Sequence, residues 1–94
     1  MNLIKQVLEQ QLTAGFKLEQ EEDDEGDVIK IYHYITDPSG KKHWLDHSPY
    51  DHIDQETFAN YVKYFKKHDK FPDRQDLNIF GPLDHDDIAK AAAE

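Results

Sequence analysis

The tetrapeptide Asp37-Pro38-Ser39-Gly40 constrains the fold of this chain more than any other stretch. Pro38 presets φ at the second turn position, Asp37 can bond the backbone ahead of it, and Gly40 supplies a positive φ. That order predicts a type I turn followed by a glycine bulge, the three-residue loop of a β-hairpin. The flanks agree: Val28 to Ile35 is dense in β-branched and aromatic residues, which suit a pleated, half-buried surface. The turn sets the register, with Asp37 opposite Lys41, Ile35 opposite His43, Tyr34 opposite Trp44 and His33 opposite Leu45. One face then carries Ile29, Ile31, His33, Ile35, His43 and Leu45 and reads as core. The other carries Val28, Lys30, Tyr32, Tyr34, Lys42 and Trp44. It is aromatic and amphipathic, and suits a core, a lid-covered surface or a partner surface.

Upstream, Asn2 to Ala14 reads as an amphipathic helix, with Leu3, Ile4, Val7, Leu8 and Leu12 on one stripe. Asn2 stands as an N-cap and Gly15 where a helix-terminating glycine belongs. The stripe is expected to pack on the sheet. A membrane-surface helix would carry Lys and Arg on its polar face, where this one has Gln, Glu and only Lys5. Phe16 to Gln20 alternates apolar and polar and predicts the first strand. It leads into a run in which Glu19, Glu21, Glu22, Asp23, Asp24, Glu25 and Asp27 place seven carboxylates in nine positions. The run is expected to be a solvated loop between antiparallel strands, or a dense anionic surface offered to a basic partner. It lacks the alternating acidic pattern and distal Glu of a calcium loop.

Downstream of the hairpin, His43, Asp46, His47, Asp51, His52 and Asp54 raise the possibility of a metal site. On an extended strand, however, His43 and His47 stand ~13 Å apart, too far to share an ion. Structural histidines are therefore the expectation, and no metal or cofactor is assigned. Asp54 predicts the N-cap of a second helix, Gln55 to His68, whose Phe58, Tyr61, Val62 and Phe65 form a buried stripe. Ile53 and Phe58 occupy the positions of a hydrophobic staple. Lys63, Lys66, Lys67 and His68 complement the C-terminal dipole. Arg74 to Leu83 reads as irregular, anchored by Leu77, Ile79, Phe80 and Leu83. Asp84 caps a short Ala-rich helix, Ile88 to Ala93, expected to fray.

The predicted fold is α+β: a three-stranded antiparallel sheet with helices packed on it, in the order α-β-β-β-α and then a short α. The 94 residues read as a single domain, 1–94, with residues 73–94 as a C-terminal extension. The chain has no run of 18 apolar residues and no signal-peptide pattern, so neither a membrane span nor a membrane partner is expected. The absence of Cys excludes a disulfide scaffold and thiol chemistry, and fits a cytoplasmic setting. Double-stranded-RNA-binding domains share the element order, but they need basic loops and helix ends. A formal charge of −9 argues against direct nucleic-acid binding and permits a basic protein partner.

No nucleophile elbow, phosphate loop or zinc-protease motif is present, so no catalytic residue is assigned. A helix NLIKQVLEQQL, an acidic first loop, the hairpin IYHYITDPSGKKHWL and the helix QETFANYVKYF follow one another. In element order, size and charge this layout resembles small acidic phage-encoded inhibitors of host enzymes, including anti-CRISPR proteins of the DNA-mimic type. The resemblance covers residues 2–68 and implies a stoichiometric inhibitor of a nuclease or other nucleic-acid-binding host protein, acting in the host cytoplasm. The alternative from the residues themselves is an adaptor or oligomerising module that uses Tyr32, Tyr34 and Trp44 as anchors, or, less favoured, a His/Asp metal-binding protein. Either a monomer or a homodimer fits.

Overall fold

A computed structural model describes residues 3–94, the side chain of Glu25 excepted. The elements are α1 (Leu3–Thr13), β1 (Lys17–Glu25), β2 (Val28–Thr36), β3 (Lys42–Trp44), α2 (Gln55–His68) and α3 (His85–Ala93). They form an α+β fold in which β2 is the central strand of an antiparallel sheet ordered β1-β2-β3.

The Asp37–Gly40 turn sets the β2–β3 register. Gly40 adopts φ +91°, the Gly40 N–H donates to the Asp37 carbonyl, and the Asp37 N–H donates to the Lys41 carbonyl, both at 2.9 Å. The Asp37 carboxylate accepts from the Ser39 and Lys41 N–H groups. Tyr34 pairs with Trp44 and Ile35 with His43, as the turn chemistry requires.

The β1–β2 hairpin corrects the expectation of an acidic loop. The sheet continues through the whole run, from Lys17 opposite Thr36 to Glu25 opposite Val28. Only Gly26 and Asp27 make the connection. Gly26 has φ +72°, as the first position of a two-residue type II′ turn requires. Glu and Asp are poor strand formers, but here the backbone partner is β2, one of the most strand-prone segments in the chain.

Ile35, Tyr61, Val62, Leu83 and Ile88 are fully buried and form the core between sheet and helices. α2 begins at Asp54, whose carboxylate accepts from the Thr57 N–H. It presents Phe58, Tyr61 and Val62 inward, with Tyr64 also buried and Phe65 half-buried. Ile53 packs against the same core. α3 is closed by a capping box between Asp84 and Asp87. It buries Ile88, Ala91 and Ala92. Residues 73–94 thus contribute to the core. They are tied down by the Arg74 guanidinium on Asp46 (2.7 Å) and by a short parallel bridge between His47 and Leu83. Phe80, expected as an anchor, is fully exposed between the inward-facing Ile79 and Leu83.

The expected cover of α1 also differs. α1 sits beside α2, through Lys5–Glu56 at 3.2 Å and the Lys66 ammonium on the Leu12 carbonyl at 2.7 Å. Of the aliphatic stripe only Leu12 joins the core. Leu3, Ile4, Val7 and Leu8 are exposed, because the side of α1 turned to α2 is the one bearing Lys5 and Leu12. The N-cap reading at Asn2 lies outside the described residues.

Candidate functional site: the outer face of the sheet

Side chains alternate along a strand, and residues paired across antiparallel strands share a face. The register therefore divides the acidic run in two. Glu19 pairs with Tyr34, Glu21 with Tyr32 and Asp23 with Lys30, so these carboxylates lie on the face that also holds Trp44. Glu22 pairs with Ile31 and Asp24 with Ile29, on the face whose other end is core. Glu25 pairs with Val28, and Asp27 is exposed in the turn. The two groups singled out in the sequence, the acidic run and the aromatics Tyr32, Tyr34 and Trp44, thus converge on one surface.

That surface is uncovered. Trp44 is 52% exposed and Tyr32 41%, and the core gathers on the opposite side around Ile35. Tyr34 and Trp44 form a tilted cross-strand pair with ring centroids 4.9 Å apart. The Lys42 ammonium lies 4.3 Å from the Tyr34 ring centroid and 5.5 Å from that of Trp44, a cation–π arrangement that fixes the aromatic pair. The Tyr34 hydroxyl is held above its ordinary value, first by hydrogen bonding with Glu19, then by desolvation and the charges of Glu19 and Glu21. Aromatic centre and acidic rim are thus cross-strand neighbours, and the carboxylates act on the Tyr34 hydroxyl.

The hairpin also projects past the helices. On the inner face, burial falls from Ile35 at 0% and His33 at 3% to a half-buried Ile31 and an Ile29 that is 55% exposed. Ile29, expected in the core, lies in this overhang. The register is as predicted, but the helical layer stops short of the hairpin end. β1 is an outermost strand whose far edge carries the N–H and C=O groups of Leu18, Gln20, Glu22 and Asp24. Flanking charge is the usual protection of such an edge against a second hydrophobic strand.

His33, His43 and His47 serve the interior. His43 Nε2 lies 2.8 Å from the Asp37 carboxylate, and its bond with the ring, followed by that with Ser39, holds the Asp37 carboxyl far below its usual range. His33 and His47 are buried, with their rings edge to face at 5.9 Å. His47 Nδ1 shares a 2.7 Å hydrogen bond with the Tyr61 hydroxyl. His33 Nδ1 and His47 Nε2 have no hydrogen-bond partner in the protein. Burial is the main force pushing both imidazoles below their ordinary value, and it pushes the Tyr61 phenol far up. His52 is exposed. Among the described residues no three His, Asp or Glu side chains gather as a metal site.

Sequence reasoning did not foresee the open stripe of α1 or the His33–His47–Tyr61 cluster. The stripe itself was visible in the spacing, but which side would be covered depended on α2. The cluster joins a strand, a loop and a helix far apart in the chain, and no local pattern announces it. Among the described residues no helix is long and apolar enough to cross a membrane. A scan of family models and searches of curated proteins and of solved structures find no match to this chain.

Proposed function

We propose that this chain is a non-enzymatic acidic binding protein that captures a basic protein surface with the outer face of its sheet. One observation carries the reading: Glu19, Glu21 and Asp23 lie in a row beside the exposed Tyr32 and Trp44 and the half-buried Tyr34. Same-face residues of an extended strand recur about every 7 Å. The row is therefore a linear array of negative charge, the pattern that a basic DNA-binding cleft is built to meet. Carboxylates supply steering and charge-assisted bonds to Arg, while Tyr and Trp supply the desolvated anchors in which binding energy concentrates. A net charge of −9 accelerates encounter with a cationic partner and disfavours nucleic acid. The partner class is a nuclease or other nucleic-acid-binding protein, inhibited stoichiometrically by occupation of its cleft, in the cytoplasm.

Division of the run by the strand register provides the test. The immobilised chain is used to capture proteins from lysate, and the partner is identified by mass spectrometry. Binding is then measured for the outer triple variant Glu19→Gln, Glu21→Gln, Asp23→Asn and for the inner pair Glu22→Gln, Asp24→Asn. Salt-sensitive capture of a nucleic-acid-binding protein, lost in the outer variant and largely kept in the inner one, is expected. Equal affinity in the folded outer variant would refute the proposal. Salt-insensitive capture abolished by Trp44→Ala would point to an adaptor working through the aromatic residues alone.

A further inference from the structure

We infer that the open stripe of α1 is a self-association surface, pairing antiparallel with the same stripe of a second copy across a twofold axis. Leu3 and Ile4 are 73% and 72% exposed, and Val7 and Leu8 are 50% and 59% exposed. Scaled to whole aliphatic residues, these fractions leave on the order of 500 Å² of contiguous apolar surface, high in the range of about 300–600 Å² for the largest patch on ordinary monomers. Two copies face to face would bury at most about 1,000 Å² in total, the size at which specific interfaces begin. Scattered exposed aliphatics need no explanation, but four on one stripe of one helix do.

The sequence of the stripe indicates what covers it. A twofold interface must be self-complementary. Leu3-Ile4-Lys5-Gln6-Val7-Leu8 has an aliphatic pair, two polar residues and an aliphatic pair, and this pattern is unchanged when read backwards. An antiparallel partner centred between Lys5 and Gln6 brings Leu3 against Leu8 and Ile4 against Val7 of the other copy, so every aliphatic side chain meets another.

Charge points the same way. Gln10 and Gln11 adjoin the stripe, Gln11 lining the shallow apolar groove with Leu3, Ile4, Val7 and Leu8. Lys5 is turned to Glu56, away from the stripe. Two strongly acidic copies can therefore meet here without bringing carboxylates into contact. A basic partner would find no countercharge, and an anionic membrane no cationic rim. The sheet edge behaves oppositely, because the Glu and Asp residues of β1 repel a second copy.

The test is sedimentation of the full chain over a rising concentration series, in low and high salt. The weight-average mass should climb from 11.1 kDa towards twice that value and should not fall with salt, in contrast with charge-driven capture at the sheet. Val7→Glu should hold the chain at the monomer mass at all concentrations. Because Val7 is exposed in the monomer, the variant's far-UV circular dichroism should be unchanged. The double variant Leu3→Cys, Leu8→Cys, in a chain otherwise free of Cys, should give a disulfide-linked dimer under mild oxidation. A mass that stays at 11.1 kDa throughout, or a dimer that survives Val7→Glu, overturns the inference. A dimer in which the cysteines do not cross-link overturns the antiparallel pairing.

Discussion

Acidification should destabilise this protein through His33 and His47, and the size of the effect follows from their burial. Both rings are almost inaccessible, at 3% and 6% exposure, and each has one ring nitrogen with no protein partner. Burial lowers both folded-state values below the ordinary imidazole value of 6.5. In the unfolded chain both titrate near that value. The unfolded state therefore binds more protons below about pH 6.5, and stability falls as pH falls. The contribution is fully present above that value and is lost until pH passes the lowered folded-state values. At a pH one unit below the unfolded value, each imidazole that stays neutral in the fold costs about 1.4 kcal/mol, so the pair sets a ceiling of about 2.8 kcal/mol. Asp51, Asp84 and Asp87 pull the His47 value back up, whereas His47 and His52 push the His33 value further down and His85 does the same to His47. A loss of up to about 2.8 kcal/mol is expected, a large share of the ~5–15 kcal/mol that holds a domain together. The Asp carboxyls that cap helices and bind Arg74 are themselves held low, so they stay charged across this window. Urea unfolding followed by circular dichroism, one pH unit above and one below the imidazole value, measures the change. A folded His33→Gln variant should show roughly half of it, and this comparison removes from the difference every titration the two proteins share. A wild-type stability that is flat or rises on acidification would refute the reasoning, as would an undiminished loss in the variant.

The hairpin and the exposed face allow independent checks. Gly40→Ala should cost roughly 1 kcal/mol, because Gly40 has φ +91° and an added Cβ would meet no atom within 4 Å, so backbone conformation alone is penalised. Equal stability by urea unfolding would show that the bulged turn is misassigned. Trp44, at 52% exposure, should emit at long wavelength and be readily quenched by acrylamide in the free monomer. Blue-shifted, protected emission would mean that the outer face is covered. The outer triple variant should remain folded, since Glu19 and Glu21 are exposed and Asp23 only half-buried. With less like charge along the edge of β1, it should also aggregate more readily than wild type in light scattering. Unchanged or lower scattering would argue that the carboxylates do not guard that edge.

Much of this fold was legible because it is local. The Asp37–Gly40 turn, the Tyr34–Trp44 pairing, the Asp54 and Asp84 caps and the limits of α2 each depend on residues a few positions apart. A proline, a glycine or a capping carboxylate acts within its own turn, so its effect does not wait on the rest of the chain. The acidic run could not be placed that way. Glu and Asp disfavour strands by themselves, and only the bonding partner offered by β2 across Gly26-Asp27 makes the run β1. Once the run is a strand, its two-residue alternation sends Glu19, Glu21 and Asp23 to the aromatic face and Glu22 and Asp24 away from it. What covers α1 was equally out of reach. The stripe is written in the spacing of Leu3, Ile4, Val7 and Leu8, but its exposure results from α2 engaging the other side of the helix through Glu56 and Lys66. Local chemistry determined the helices, the central strand and the β2–β3 register, but not the extent of β1. Which faces are buried was decided by contacts between distant segments, because a side chain's burial depends on what stands opposite it and not on its own neighbours in the sequence.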